Sequence, residues 1–360
     1  MLARTVGQLL HIGFAGKQAP QEVLERVRRG EVGATILFGR NIESVEQVAA
    51  LNAELAAAAP ADAPLVLALD QEGGRVQRIK APAVVWPPMA ALGRLPAGDG
   101  ERAAREVGRV LGRELAVLGF NMDYAPVLDV ATNPQNPVIG DRALATTPER
   151  VAALGIELAR GLLDAGVLPC GKHYPGHGDT HVDSHHALPV VEHARERIEA
   201  IELAPFAAAA RAGVLPIMMT AHVVFEALDP GVPATLSAPT LALLRGMGFD
   251  GVIASDDLEM KAIAGTMGAG EAALAAVRAG CDTLLICEDV PMQHLVHETL
   301  VKAAEGDGAL RARLEDAARR VARMKAALPR LTRVAPADVR KYLGHADGVA
   351  LADRLRAALG

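Results

Sequence analysis

The stretch GVIASDDL, residues 251–258, shows the unit from which this 360-residue chain is built. Four residues without charge, 251–254, are followed at once by Ser255, Asp256 and Asp257. A short apolar run that ends in polar residues is typical of a parallel strand buried on both faces, with its polar end at one edge of the sheet. The fold therefore depends on how often this unit recurs.

Comparable apolar runs occur eight times, separated by amphipathic stretches rich in Ala, Leu, Glu and Arg. The pattern predicts strands at 9–15, 34–38, 65–69, 120–128, 166–171, 215–220, 251–254 and 283–287. It predicts helices at 21–29, 45–59, 101–118, 148–165, 196–212 and 270–279. This alternation indicates an α/β fold, and eight strands favour a (β/α)8 TIM-type barrel. A doubly wound open sheet has the same alternation and is the alternative.

The predicted barrel occupies residues 1–330, without a linker long enough to separate two domains. Residues 331–360 form a predicted C-terminal helical extension, in which 336–360 carry no motif. We expect this extension to pack on the barrel or on a partner subunit.

Composition excludes several classes of protein. The net charge is −6 and the Arg residues are scattered, so no basic block indicates nucleic-acid binding. No run reaches the roughly 20 apolar residues that span a bilayer. The three cysteines lie in apolar runs, which favours free thiols. The apolar run 7–16 is broken by Gln8 and His11, so we interpret it as the start of the fold and expect a cytoplasmic protein.

Polar side chains follow most of the predicted strands, where barrel enzymes place their active sites. Any one of them could cap a helix or tie a loop, but the whole set indicates a site. The set comprises Arg40, Asp70, Asp129, Lys172, His173, His222, Asp256, Asp257 and Glu288.

The densest polar segment is KHYPGHGDTHVDSHH, residues 172–186, predicted to be an irregular loop after a strand. Its five His and two Asp fit either a metal site or acid/base catalysis. It lacks the HExxH or HxH spacing that fixes metal ligands on a regular element. Asp183 precedes His185 by two residues, and a carboxylate there would orient the imidazole and favour its protonated form.

Two further segments complete the candidate site. In SDDLEM, residues 255–260, a strand-end carboxylate is rigid enough to be a nucleophile, although an adjacent Asp is also a common helix cap. Because side chains alternate along a strand, one of Asp256 and Asp257 should face the pocket. DQEGGRVQR, residues 70–78, lacks the phosphate-loop patterns, and its carboxylate and Arg residues suit sugar hydroxyls and acidic or acetylated substituents.

These three segments closely resemble the single-domain bacterial β-N-acetylglucosaminidases of glycoside hydrolase family 3. The resemblance runs in the same order from about residue 7 to 328. It implies that Asp256 is the nucleophile, that His185 is the acid/base and that Asp183 orients His185. The residues that the resemblance places around the non-reducing sugar are Asp70, Arg78, Arg142, Lys172, His173 and, more weakly, His222.

The resemblance also implies an activity. It is hydrolysis of terminal non-reducing β-linked N-acetylglucosamine, from peptidoglycan muropeptide fragments, with retention through a covalent glycosyl-enzyme. No metal or cofactor is implied, and the expected state is a monomer or weak homo-oligomer. The sequence departs from the family at Leu144, where many members carry Phe, and at 259–261, where relatives usually have a small residue followed by Met-Glu.

Four other functions are open at this point. A broader β-glycosidase would accept glucosides, and a phosphorylase would respond to phosphate. A metal-dependent hydrolase would lose activity to chelators. A non-catalytic sugar-binding barrel would show no turnover, but it has no need of Asp256 beside the Asp183–His185 segment. If His185 is not the acid/base, His181 is the next candidate.

Overall fold

A computed structural model describes residues 1–184, 188–328 and 334–360. Its centre is a closed barrel of eight parallel strands, in which each barrel strand pairs with the next along the chain and the last pairs with the first. The strands are β1 (Leu10–Ile12), β2 (Ala34–Leu37), β3 (Val66–Leu69), β4 (Met122–Asp123), β5 (Leu168–Tyr174), β6 (Ile217–Thr220), β7 (Val252–Asp257) and β8 (Thr283–Ile286). The predicted (β/α)8 barrel is confirmed, and the open doubly wound sheet is excluded.

Helices surround the barrel and connect its strands. They are α1 (Leu2–Gly7), α2 (Gln21–Arg28), α3 (Val45–Ala58), α4 (Ala90–Arg94), α5 (Asp99–Val117), α6 (Pro148–Asp164), α7 (Arg195–Ala200), α8 (Ala204–Ala212), α9 (Ala238–Gly246), α10 (Lys261–Ala264), α11 (Ala269–Ala279), α12 (Val290–Gly306), α13 (Gly308–Ala326) and α14 (Ala346–Ala357). Short 3₁₀ helices lie at Gly39–Asn41, Gly140–Arg142, Ala234–Leu236 and Pro336–Tyr342. No helix in the described ranges is long and apolar enough to cross a membrane.

The barrel strands are buried on both faces. Every residue of β2, β3, β6 and β8 is buried. Helices cover the outer face and side chains fill the interior, so apolar residues are favoured at successive positions instead of alternate ones. Because all eight strands run in the same direction, their carboxyl ends meet at one end of the barrel.

Two strands extend further than their apolar runs. β5 continues to Tyr174, so the expectation that residues 172–186 are irregular throughout is wrong for 172–174. β7 continues to Asp257, with a register shift against β8 between Ala254 and Asp257. In both strands the backbone pairing continues past the first charged residue, which an apolar criterion takes as the end of the strand.

The helix predicted at 196–212 is two helices, α7 and α8, separated by residues 201–203. Pro205 lies in the first turn of α8. Proline lacks an N–H and its ring clashes with the carbonyl four residues earlier, so it is tolerated in the first turn of a helix but interrupts a longer one.

The C-terminal residues pack on the outside of the barrel. Val339, in the 3₁₀ helix, and Leu355, in α14, are fully buried. The backbone N–H of Gly344 donates to the carboxylate of Glu114 on α5, at 2.7 Å. The last described segment therefore belongs to the same hydrophobic core as the helices it covers.

Candidate active site

The carboxyl ends of the strands surround a cavity of about 190 Å³. Its wall brings together six of the nine predicted site residues, which are Asp70, Arg78, Arg142, Lys172, His173 and Asp256. A larger cavity of about 830 Å³ lies between α3, α5 and residues 334–336, but Lys325 is the one charged residue of its described lining. The smaller cavity is therefore the candidate active site.

A buried lysine organises the floor of this cavity. The Nζ atom of Lys172 is 2.7 Å from Oδ1 of Asp70 and 2.6 Å from Oε1 of Glu72. Only 2% of the Lys172 side chain is exposed. Burial alone would lower the pKa of Lys172, but the two carboxylates outweigh burial and raise it. The ammonium group is consequently held in its charged form.

Arg142 forms the second cation of the cluster. Its Nε and Nη2 atoms donate to the two oxygens of Glu72, each at 2.8 Å, in a bidentate pair. Arg78 is the third cation, and its Nη2 atom is 3.4 Å from Oδ2 of Asp70. Burial would raise the pKa of Asp70, but Lys172 and Arg78 lower it, so both carboxylates are ionised.

Glu72 was not predicted as a site residue, although the sequence contained a signal for it. Gln71, between Asp70 and Glu72, faces the other way, where its amide bonds the backbone of Arg78 and Ile79. Side chains alternate along extended chain. Once Asp70 is assigned to the pocket, alternation assigns Glu72 to the same side.

His173 is oriented by a buried carboxylate. Its Nδ1 atom donates to Oδ2 of Asp129 at 2.7 Å, which leaves Nε2 facing Arg142 Nη2 at 3.4 Å. Burial would raise the pKa of Asp129, but His173 outweighs it and lowers the pKa. Asp129, first noted only as a strand-end residue, fixes the direction of the His173 ring.

The two adjacent aspartates at the end of β7 have different surroundings. Oδ1 of Asp256 accepts the backbone N–H of Asp257 at 2.8 Å. Oδ1 of Asp257 accepts the backbone N–H groups of Glu259 and Cys287, at 3.1 and 3.4 Å. Burial, followed by the charges of Glu259 and Asp256, raises the pKa of Asp257 to about 7. Asp257 is thus tied into the neighbouring loops on both sides.

His222 contacts the backbone of this strand. It is fully buried and is not among the described residues of the cavity wall. Its Nε2 atom donates to the carbonyl oxygen of Asp257 at 2.9 Å, and Nδ1 is 2.8 Å from Thr235 Oγ1. The structure therefore places His222 where it supports the backbone of β7, and its contact with a sugar stays a prediction.

The loop after β5 contributes His177 and Ser184 to the cavity wall. Ser184 lines the wall, and its carbonyl oxygen accepts the N–H of Ala262 on α10 at 3.3 Å. Asp183, next to it, is half-buried. His185 lies outside the described residues. The described part of the loop therefore begins at the end of β5 and contacts α10, the helix that follows β7.

Within residues 1–184, 188–328 and 334–360, no group of three or more His, Cys, Asp or Glu side chains is arranged to hold a metal ion. The polar groups of the cavity instead pair with one another. A wall of ionised carboxylates, cations and an oriented imidazole can bind several hydroxyl groups at once, which is the requirement for a sugar ligand.

A parallel barrel that presents such a wall, with a strand-end carboxylate in it, has the architecture of a glycoside hydrolase. The chain belongs to glycoside hydrolase family 3, because the family model described as the glycosyl hydrolase family 3 N terminal domain matches residues 1–324. The family that the sequence resembles is confirmed.

Individual relatives agree with this assignment. The chain is 43% identical over 283 residues to a β-hexosaminidase of Chromobacterium violaceum, covering 76% of each chain. A family 3 β-N-acetylglucosaminidase from Paenibacillus sp. superposes with a TM-score of 0.90 at 39% identity, over 99% of this chain and 68% of that one. NagZ from Neisseria gonorrhoeae, in complex with N-trifluoroacetyl-D-glucosamine, gives 0.78 at 34% identity, over 98% of both chains.

Proposed function

We propose that this glycoside hydrolase, of the β-N-acetylhexosaminidase type, is a retaining enzyme that removes terminal non-reducing β-linked N-acetylglucosamine. Asp256 is its nucleophile and His185 its acid/base, with Asp183 orienting His185. Peptidoglycan fragments are the proposed source of the substrate.

One observation carries the proposal. Asp256, at the end of β7, shares the wall of a single small cavity with the buried cluster of Lys172, Glu72 and Asp70. The cluster provides acceptors and donors for sugar hydroxyls, and the strand fixes the carboxylate beside them. At about 190 Å³ the cavity is below the roughly 300–1,000 Å³ of common ligand sites. Its size suits one terminal sugar unit.

The nature of that sugar is supported by the relatives. The similar proteins from Chromobacterium violaceum and Paenibacillus are a β-hexosaminidase and a β-N-acetylglucosaminidase. The Neisseria gonorrhoeae structure contains an N-acylated glucosamine. An N-acetylated hexosamine is accordingly the proposed occupant of this cavity.

The proposed reaction has two steps. Asp256 attacks the anomeric carbon while the bond to the leaving oxygen breaks and His185 protonates that oxygen. His185 then removes a proton from water, which attacks the same carbon and releases Asp256. A histidine is positive as the acid and neutral as the base, so it never repels the carboxylate nucleophile. Its unperturbed pKa, near about 6.5, also suits proton transfer near neutral pH.

The choice of Asp256 over Asp257 follows from their partners. Asp257 accepts two backbone N–H groups from neighbouring segments, and burial disfavours its charged form. Both aspartates line the cavity, but within the described residues the carboxylate of Asp256 accepts only the adjacent backbone N–H. Asp257 therefore maintains the shape of the loop, while Asp256 is free to react.

Paired substitutions test this assignment. Asp256→Ala should lower kcat on an aryl β-N-acetylglucosaminide by about 10⁴-fold or more, without loss of the fold by circular dichroism. Asp257→Ala, the matched control, should lower the melting temperature but keep more activity. The reverse ranking of the two variants would move the nucleophile by one residue.

The same assay separates the alternative functions. The wild-type enzyme should cleave the N-acetylglucosaminide much faster than the corresponding β-glucoside, and added phosphate should leave the rate unchanged. NMR of the first product should show the β-anomer, since two inversions give retention. A preference for the glucoside, phosphate acceleration or an initial α-anomer would each contradict the proposal.

A further inference from the structure

His177 is the first histidine of the loop after β5, and both its ring nitrogens bond within that loop. Nδ1 lies 2.7 Å from Oγ1 of Thr180, and Nε2 lies 3.0 Å from Oγ of Ser184. The residue is 2% exposed. Although the ring borders the cavity, its two polar atoms are used by Thr180 and Ser184 and not presented to a sugar.

The proton positions in this chain of bonds follow from the hydroxyl of Thr180. That hydroxyl donates to the carbonyl oxygen of His177 at 3.1 Å, so it must accept from Nδ1–H. Burial, followed by the neighbouring His173, lowers the pKa of His177 to about 4, so the ring is neutral near pH 7. A neutral ring with Nδ1–H has Nε2 as an acceptor, and the Ser184 hydroxyl donates to it.

His177 is itself held at the base of the loop by the segment that follows β4. Its backbone N–H donates to Oδ1 of Asp129 at 2.6 Å, and its carbonyl accepts from the Asn136 side chain at 2.8 Å. A Cβ atom on the adjacent Gly178 would lie 1.8 Å from the carbonyl oxygen of Val130, which shows how closely the two segments pack. The ring therefore extends from a fixed point.

Ser184 lies at the other end of this connection. It lines the cavity, bonds to Ala262 on the Asp256 side, and falls between Asp183 and His185 in the sequence. We propose that His177 is the positioning residue of the acid/base, because its ring links the fixed base of the loop to Ser184. The inference rests on the proposed roles of Asp183 and His185, and it assigns His177 no contact with the reacting atoms.

Two amide substitutions separate the two ring bonds. The amide of Asn reaches about the position of Nδ1, whereas the longer Gln reaches about that of Nε2. His177→Asn should keep the Thr180 contact and lose Ser184, and His177→Gln should retain Ser184. The Gln variant should therefore rescue catalysis, which a simple loss of packing does not predict.

The measured quantity is sensitivity to the leaving group. Nitrophenolate departs with little protonation, but a sugar alkoxide needs a full proton. His177→Asn should slow the first chemical step on an N-acetylglucosamine disaccharide by about 10–100-fold, because the acid/base loses a supporting contact. It should slow the first step on the nitrophenyl glycoside much less, so the ratio of the nitrophenyl rate to the disaccharide rate should rise. His177→Gln should remain close to wild type in this ratio.

Two further variants test whether His177 acts through its bond to Ser184. Ser184→Ala should give the same change in ratio as His177→Asn, and the double variant should be no worse than either single one, because both remove the same bond. His11→Gln is the matched control, since it breaks a buried 2.7 Å bond from a histidine to Tyr124 outside the loop. It should lower the melting temperature and leave the ratio unchanged.

Failure of the inference and failure of the proposed function give different results. If His185→Ala is sensitive to the leaving group but His177→Asn is not, His177 is only structural and the acid/base assignment stands. If His185→Ala slows both substrates equally, the acid/base assignment fails and the inference fails with it. Additive effects of His177→Asn and Ser184→Ala would also overturn it.

Discussion

Glu72 connects two cations that face the sugar-sized cavity. It lies 2.6 Å from the Lys172 ammonium and forms two 2.8 Å bonds with Arg142. Its side chain is 3% exposed, so water cannot replace it as their partner. Loss of this one carboxylate leaves Lys172 paired with Asp70 alone and leaves Arg142 without an ion-pair partner among the described residues.

We therefore expect Glu72→Gln, which preserves size but not charge, to lower the free energy of unfolding by about 3–5 kcal/mol. KM for the aryl glycoside should rise more than kcat falls, because the displaced cations are the proposed ligands of the sugar. Urea unfolding and steady-state kinetics measure the two effects. Glu288→Gln is the control, since Glu288 is 68% exposed and 3.6 Å from Arg40, and it should cost less than about 1 kcal/mol. Equal losses in the two variants would contradict this account of the cluster.

At the residue scale, the sequence predicted much of this site. Six predicted residues line one cavity because motifs at strand ends must converge in a barrel. Glu72 was missed because the carboxylate before it was taken as the functional one, although alternation could have identified it. The bond from His222 to the Asp257 carbonyl could not be predicted, because a histidine at a strand end can face either side of the strand.

Helix α13 carries an unusual group at its carboxyl end. Lys325 is 5% exposed, and its Nζ donates to Oε1 of Gln8 at 2.7 Å. No carboxylate in the described part of the chain forms an ion pair with it. Burial lowers the pKa of Lys325 from 10.5 to about 7.

This shift should make the contribution of Lys325 to the stability of the protein depend on pH. Between pH 7 and 10.5 the unfolded chain binds a proton that the folded protein has released, so the contribution of Lys325 to stability becomes less unfavourable as pH rises. Lys325→Met should therefore stabilise the protein more at pH 6.5 than at pH 9.5, with the gain falling by about 1.4 kcal/mol per pH unit. Melting temperatures at the two pH values measure it. Lys302→Met, on an exposed position of α12, should show no such trend; a trend shared by both variants would contradict burial as the cause.

At the element scale, the predicted strands overlap the observed ones at all eight positions, because a buried parallel strand needs a continuous apolar run. Their ends were less predictable. β5 includes Lys172 because Asp70 and Glu72 compensate its charge, and those partners are about a hundred residues away in sequence. The split between α7 and α8 could have been predicted from Pro205 alone.

On the scale of the whole molecule, the C-terminal residues stabilise the barrel far from the cavity. Leu355 is fully buried on α14, whereas Leu359, two residues beyond the end of that helix, is 41% exposed. Leu355→Ala should lower the free energy of unfolding by about 2–5 kcal/mol, and Leu359→Ala by less than about 0.5 kcal/mol. Urea denaturation compares the two, and both variants should keep wild-type kcat and KM at 25 °C. A drop in kcat for Leu355→Ala would instead indicate that α14 communicates with the active site.

The overall architecture was the most predictable level, since eight repeats of one unit leave few ways to close a sheet. The packing of residues 334–360 was not predictable. No pattern in this segment indicates whether it packs on the barrel or on a partner subunit. The bond from Gly344 to Glu114 and the burial of Val339 decide it, and both depend on residues distant in the sequence.

The small cavity has a consequence for how the proposed enzyme would meet a polymer. Room for one ring means that the reactive species is the free end of a chain, so the rate follows the number of ends and not the mass of glycan. One long strand offers a single place to start, and many short pieces offer many. Monosaccharide would accumulate from the first moment while the viscosity of the solution scarcely fell. Such an enzyme works best downstream of one that cuts within chains, because each internal cut creates a new end.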